Sequence, residues 1–383
     1  MFQLKTFLVT LTLVFQVSAL AQKLAGPIDF FYAPKPDAHQ PVIDAINASK
    51  QSVKMVMFHL SDPAVGSALM SAAKRGIDVR VIFDKSEWRS PKDQSLVADM
   101  KTAGVKAVQA TAAFRITHEK AMVIDDQRAM ISTMNQVKTF MGMFDMGIFT
   151  TDKDVIAEWN KVFEADWQNA ADGGSITPPL TNANLLWSPI NSIDRLVALI
   201  GGAHHRIELT VENLSEEHIQ NALFDAASRG VAVRVIVPQC DVVKANFNYP
   251  AVMALRLAKV DARMMPGPAS TNTPYIHAKA IVADQNVVYM GSENFSYSSL
   301  TLSREVGIIA EDSDLATKVD LLFEDLWQKS NMPPADPNYK CAAFDVGTKS
   351  PAPDSDAGSG SASGTSVSGT NWLDRLMIQP SLH

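Results

Sequence analysis

What this chain of 383 residues lacks narrows its function before any motif is considered. Positive charge is not in excess: 34 Lys and Arg stand against 41 Asp and Glu, for a net charge of −7. Nonspecific nucleic-acid binders carry a broad basic surface, so a role on DNA or RNA would have to rest on a local patch. Apolar runs of bilayer-spanning length are missing beyond the first residues, which removes a further transmembrane helix. Low apolar content is absent too. At 46% apolar and 20% charged residues the chain packs a globular core and is not generally disordered. Histidines at zinc-like spacing are missing, since His204-His205 have no further ligands nearby in sequence, so no metal and no cofactor is assigned. Cysteine occurs only as Cys240 and Cys341. A disulfide between them and two separate thiols both remain open, because sequence does not show proximity.

The N-terminus has the form of an export signal over residues 1–21. Lys5 precedes the mostly apolar run 6–15, and Ala19-Leu20-Ala21 offers the small residues a signal peptidase needs. No cysteine follows, so a lipoprotein anchor is not expected. The protein is read as exported, either periplasmic or secreted, which places both cysteines in an oxidising compartment. At the other end, residues 341–383 read as a flexible tail. Its Ser-, Gly- and Ala-rich stretch 351–370 is linker-like, and Trp372, Leu373, Leu376 and Met377 mark a short amphipathic end.

Between these ends the chain repeats itself. Val53-Lys54-Met55-Val56-Met57-Phe58 corresponds to Ile207-Glu208-Leu209-Thr210-Val211-Glu212, and Val79-Arg80-Val81-Ile82-Phe83 to Val233-Arg234-Val235-Ile236-Val237. Helical stretches ending in Arg75-Gly76 and Arg229-Gly230 lie between the members of each pair. Met146-Gly147-Ile148-Phe149 likewise matches Val306-Gly307-Ile308-Ile309, and a helix ending near Trp167 matches one ending near Trp327. Strands alternating with helices at this spacing indicate an α/β fold. The period is too long for a solenoid and indicates a duplicated domain. The first half is placed at 22–170, a connection at 171–187 and the second half at 188–340.

Each half carries His-x-Lys followed by Asp after four residues. The first copy is His118, Lys120 and Asp125, followed by Ser132-Thr133-Met134-Asn135. The second is His277, Lys279 and Asp284, followed by Gly291-Ser292-Glu293-Asn294. In a strand, residues i and i+2 share a face, so each His projects with its Lys, while Ala121, Val123, Ala280 and Val282 face a packed side. This set of groups suits cleavage of a phosphodiester. One imidazole attacks phosphorus and the other protonates the leaving oxygen. Lys120 and Lys279 neutralise charge, while Asn135, Asn294, Thr133 and Ser292 are candidate donors to the phosphoryl oxygens. Asp125 and Asp284, at strand ends, are assigned to structural support. Asp145 stands 27 positions after His118 and Glu305 stands 28 after His277. This parallel placement makes them candidates for fixing the imidazole tautomer through Nδ1–H.

On these residues the chain resembles the phospholipase D superfamily, whose members carry His-x-Lys-x4-Asp-x6-Gly-Ser-x-Asn twice. The second copy matches in full. The first departs with Ser132 at the Gly place and Thr133 at the Ser place, and is expected to have the tighter loop. The resemblance spans about residues 40–330. It implies two pseudo-symmetric α/β/α domains sharing one active site at their interface, metal-independent catalysis through a phosphohistidine, His118 as nucleophile and His277 as general acid. Two motifs on one chain mean no oligomer is required for a complete site. The expected activity is hydrolysis of glycerophospholipid headgroups. A nuclease with the same site, a phosphatidyl transferase of the cardiolipin synthase kind and a noncatalytic lipid-binding module are the alternatives. His59 and Glu212-Asn213, at the ends of corresponding strands, are weaker pocket candidates. Trp88 and Arg89 are candidate substrate contacts or an exposed loop. Residues 140–146, rich in Met and Phe, are either an acyl or membrane-surface contact or a buried packing segment.

Overall fold

The computed structural model describes residues 21–88, 91–138, 142–240, 246–270, 272–336 and 338–341, with backbone alone at 87, 88 and 91–93. The expected signal peptide (Ala21 apart), Arg89, Phe140, Met141 and the tail after Cys341 lie outside these residues. Among the described residues, no helix is long and apolar enough to cross a membrane.

Two seven-stranded sheets form the body, and they have one topology. The first contains β1 (Ile28–Ala33), β2 (Ser52–Met57), β3 (Asp78–Phe83), β4 (Lys106–Gln109), β5 (Lys120–Ile124), β6 (Arg128–Ser132) and β7 (Asp145–Thr150). Its spatial order is β1-β7-β6-β5-β2-β3-β4. The second contains β8 (Leu185–Ser188), β9 (Arg206–Thr210), β10 (Ala232–Pro238), β11 (Asp261–Met265), β12 (Ala280–Ala283), β13 (Val287–Gly291) and β14 (Glu305–Glu311). Its order, β8-β14-β13-β12-β9-β10-β11, repeats the first strand for strand. In each sheet three strands run parallel through helical crossovers and the rest pair antiparallel. The edge strands β1 and β8 were not foreseen from the sequence. β8 falls where a connection was expected, because its pairing partner β14 is remote along the chain.

The alternation read from the sequence sorts each sheet's faces. Val53, Met55, Met57, Val79, Val81 and Met122 pack on one side against α1 (Gln40–Ala48) and α2 (Pro63–Lys74). The other face carries Val56, Ala121, Val123, Ile131 and Ile148, which join Ala280, Val282, Met290 and Ile308 of the second half in one continuous core. Two long helices, α4 (Lys153–Asp172) and α9 (Ser313–Lys329), contribute Trp159 and Phe163, and Phe323 and Trp327, to that same core. The second half's outer helices α5 (Ser192–Gly202), α6 (Glu217–Ser228) and α7 (Tyr249–Leu257) cover its far face. Burial of a shared apolar face, the main favourable term in folding, thus holds the halves together. α3 (Pro91–Thr102) and the short α8 (Tyr297–Thr301) complete the helices.

The connection between halves is shorter than 171–187, since α4 runs to Asp172 and β8 begins at Leu185. It is also fastened down. The Glu158 carboxylate accepts from the backbone N–H groups of Thr181 and Asn182 at 2.5 and 2.7 Å, and the Asn169 side chain brackets Ile176. Cys240, just past β10, is joined to Cys341 in a disulfide with Cα atoms 5.6 Å apart. This resolves the alternative the sequence left open.

Candidate active site

Both His-x-Lys motifs enter their sheets at β5 and β12, and in both the stretch before the motif pairs with the opposite half. Thr117 bridges Arg304, with His118 N–H donating to Arg304 O at 2.9 Å and Arg304 N–H to Ile116 O at 2.9 Å. Phe144 bridges Ile276, with Phe144 N–H donating to Tyr275 O at 2.7 Å and Ala278 N–H to Phe144 O at 2.8 Å. Each exchange places the residue before an acid alongside a histidine of the other half.

The acids therefore cross. Nδ1 of His118 lies 2.7 Å from Glu305 Oε2, and Nδ1 of His277 lies 2.8 Å from Asp145 Oδ1. All four side chains are almost wholly buried. A carboxylate at Nδ1 keeps the proton there, so the lone pair of the neutral ring is on Nε2 and the cation is stabilised. Burial is the largest influence and works against a charged His277, as does Lys279, but the charge and hydrogen bond of Asp145 together with the charge of Glu212 outweigh them, and the outcome is a raised pKa. A raised pKa suits a proton donor.

The lysines are fully buried, and each turns back on its own motif: Lys120 Nζ donates to His118 O at 2.7 Å and Lys279 Nζ to His277 O at 2.6 Å. Lys279 also meets Glu212 Oε2 at 3.1 Å, and the Asn294 amide donates to the same oxygen at 3.3 Å. Asn135 differs. Its amide nitrogen and oxygen are both buried and have no hydrogen-bond partner among the described residues. Unsatisfied buried amides are rare and usually mark a place a ligand or water completes, which fits a donor to a phosphoryl oxygen.

The structure gives Thr133 and Ser292 internal partners instead of the phosphate-donor role expected of them. Thr133 Oγ1 donates to Asp145 Oδ1 at 2.5 Å and accepts from Met146 N–H at 3.0 Å. Ser292 Oγ lies between the backbone O and N–H of Val306, at 3.4 and 3.2 Å. Both hydroxyls fasten the motif loop to the strand carrying the acid. Ser132, at the glycine place, adds a further tie by accepting from Met134 N–H at 2.9 Å and donating to Met146 O at 3.1 Å. The space it needs comes from Gly147 opposite, where a Cβ would lie 2.8 Å from that of Ser132. In the second half Gly291 packs instead against Gly307, whose Cα would be 2.5 Å from an added Cβ.

Asp125 and Asp284 serve the backbone. Asp125 accepts from the N–H groups of Lys50, Gln51 and Ser52 at 2.8, 2.6 and 2.8 Å, and Asp284 from those of His204, His205 and Arg206 at 2.8, 2.7 and 3.0 Å. Each carboxylate fixes the turn that launches β2 or β9, and both residues take a positive φ, 54° and 50°. His204-His205 are thus placed by their backbone at this turn. Among the described residues, no group of three ligands fit for a metal occurs.

Three further groups escaped the sequence reading. Tyr275 donates its hydroxyl to Glu212 Oε1 at 2.8 Å, and the i, i+2 alternation through His277 and Lys279, taken one step back, pointed to it. Phe58 meets His118 edge-on, with ring centroids 4.6 Å apart. Arg304, fully buried between Phe114 and Trp187, holds Asp166 of α4 by two bonds, at 2.8 and 3.1 Å. Glu119 lies 3.8 Å from the same guanidinium, and burial with the Asp166 charge pushes its pKa up to about 8 although Arg304 opposes this. No local signal pairs Arg304 with Asp166, 138 positions apart. Of the apolar stretch at 140–146, Met143, Phe144 and Met146 are buried packing residues.

A family model described as "Cardiolipin synthase, PLD-like domain" matches residues 42–167 and 196–327. Cardiolipin synthase A of Klebsiella pneumoniae subsp. pneumoniae is 22% identical over 348 residues, covering 77% of this chain and 68% of that protein. Among solved structures, the phosphatidylserine synthase of Haemophilus influenzae Rd KW20 superposes with a TM-score of 0.61 at 14% identity, covering 81% of this chain and 88% of its own. The polyphosphate kinase of Porphyromonas gingivalis does so with a TM-score of 0.61 at 16% identity, covering 84% of this chain and 54% of the kinase. The chain thus spans about half of that kinase, and at these identities both structural likenesses speak for the fold alone.

Proposed function

The chain belongs to the phospholipase D superfamily, in the family described as "Cardiolipin synthase, PLD-like domain", and from that premise we propose that it transfers a phosphatidyl group from a phospholipid to an alcohol. The observation that carries the chemistry is the pair of buried imidazoles, each with Nδ1 held by a carboxylate from the other half. His118, neutral, attacks phosphorus through Nε2. The bond from phosphorus to the leaving alkoxide breaks as His277, cationic, delivers its Nε2 proton to that oxygen. The acceptor alcohol then gives its proton to the now neutral His277 and attacks phosphorus, which releases His118. Lys120, Lys279, Asn135 and Asn294 oppose the charge that develops on the phosphoryl oxygens.

Transfer is preferred here to the hydrolysis expected from sequence. The matching family is described by, and the sequence relative is named for, cardiolipin synthase, and the buried site favours an acceptor other than bulk water. The export expectation is carried into this proposal, and the Cys240–Cys341 disulfide supports it because such bonds persist in oxidising compartments.

The test is turnover of phosphatidylglycerol vesicles by the purified protein with graded glycerol, with His118→Asn as background. Phosphatidylglycerol alone should give cardiolipin and free glycerol, and as labelled glycerol rises, labelled phosphatidylglycerol should form at the expense of both cardiolipin and phosphatidate. Phosphatidate as the sole product at high alcohol would return the reading to hydrolysis. Intact vesicles together with efficient cleavage of single-stranded DNA would remove lipid as the substrate.

A further inference from the structure

The two halves differ in charge at a position beside the motif lysines. In the first half Met57 pairs with Lys120 across β2 and β5, and in the second Thr210 pairs with Ala280 across β9 and β12. Phe58 and Glu212 are therefore equivalent, each one residue beyond the partner of its motif lysine. Phe58 sets a ring edge-on to His118, at an interplanar angle of 70°, with Lys120 Nζ 5.0 Å from the ring centre. Glu212 sets a buried carboxylate in that place, 3.1 Å from Lys279 Nζ and 3.7 Å from His277 Nε2.

This matters because the acids at Nδ1 do not distinguish the imidazoles. Glu305 at His118 and Asp145 at His277 make bonds of 2.7 and 2.8 Å and are equally buried. Yet a nucleophile must be neutral while the proton donor is a cation, in the same pocket and at the same pH. The charged groups acting on His277 include Asp145 on β7, Lys279 from its own stretch and Glu212 beyond β9. In surroundings that exclude water, a carboxylate near Nε2 favours the cation and offsets the neighbouring lysine, whereas a phenyl ring supplies no charge.

We propose that Glu212 and Phe58 assign the two roles: Glu212 is a positioning residue that holds His277 as the cationic proton donor, and Phe58 leaves His118 neutral for attack. Tyr275 steadies the carboxylate through its hydroxyl. The assignment of roles rests on the phosphohistidine chemistry proposed above, but the charge-holding does not.

The experiment has two arms on the full chain. Histidine-selective NMR titration of wild type, Glu212→Gln and Phe58→Leu reads the charge without turnover. The His277 midpoint should move to lower pH in Glu212→Gln and stay in place in Phe58→Leu, and an unmoved midpoint in Glu212→Gln overturns the proposal whatever the activity. In the second arm, lipid turnover by Glu212→Gln should fall about tenfold more near pH 8 than near pH 6, with the alkaline limb of kcat/KM displaced to lower pH. A uniform loss at every pH marks a merely structural role and overturns the assignment. A denaturing quench at alkaline pH, where the P–N bond persists, and mass mapping should find the phosphoryl group on His118 in wild type, and on His277 in the exchanged variant Phe58→Glu/Glu212→Phe. A shifted NMR midpoint with no phosphohistidine on either residue supports the charge-holding and overturns the transfer chemistry.

Discussion

Asp145→Asn should cripple the histidine of the half it does not belong to. Asn has the volume of Asp and keeps an oxygen to accept from Thr133 and from Nδ1–H of His277, so the fold and the ring orientation are retained. What is lost is the charge that stabilises the His277 cation across a bond of 2.8 Å, with Asp145 fully buried. A hydrogen bond to a charged group contributes about 1.5–3 kcal/mol, so at about 1.4 kcal/mol per factor of ten the rate should drop about 10- to 150-fold near neutral pH. The sign of the pH effect follows. His277 has a raised pKa to which Asp145 contributes; removing that charge lowers it, and the alkaline limb of activity moves to lower pH. The assay compares a natural phospholipid with a phosphatidyl ester whose phenolic leaving group departs without protonation. Asp145→Asn should lose the first activity and keep most of the second. Glu305→Gln, acting on His118 through a bond of 2.7 Å, should lose both alike. Equal losses of the two substrates in Asp145→Asn, or an unmoved alkaline limb, would refute the crossed assignment.

Three further outcomes are expected. Asp125→Ala or Asp284→Ala deprives three backbone N–H groups of their acceptor; denaturant titration should show a loss of about 2–4 kcal/mol, with activity per folded molecule within about threefold of wild type. Glu119, with its pKa pushed to about 8, binds its proton more tightly folded than unfolded, so it takes stability away as pH rises from the ordinary carboxylate range through about 8. Glu119→Gln should therefore raise Tm relative to wild type more at pH 8 than at pH 5, and an equal offset at both would exclude titration of Glu119 as the cause. Reducing the disulfide, or replacing Cys341 by Ser, opens a loop of 101 residues and should lower stability by about 2–5 kcal/mol by calorimetry.

Much of this site is legible in the sequence because its elements repeat. The i, i+2 spacing of His118 with Lys120 and of His277 with Lys279 follows from strand geometry, and Ala121, Val123, Ala280 and Val282 at the alternate positions do lie in the core shared by the halves. Asp145 and Glu305 are visible as matched acids, but which imidazole each meets is decided by the strand exchanges at Thr117–Arg304 and Phe144–Ile276, contacts that span more than a hundred residues. Residue type also misleads where a group has two uses. Thr133 and Ser292 have hydroxyls suited to phosphate, yet both lie within reach of a neighbouring strand and bond to it. Arg304 with Asp166 and the edge strand β8 are invisible locally, since each exists only through a partner distant in the chain.

The crossing of the acids also governs when the molecule becomes competent. His118 waits for Glu305, 187 positions later, and His277 needs Asp145 from the part made first. A nascent chain with a complete first half therefore holds an imidazole, an ammonium and an amide but lacks the carboxylate that fixes the ring. Under the chemistry proposed above, reactivity toward phosphodiesters requires β14 docked against the segment before β5, and a chain stopped within the first half lacks it.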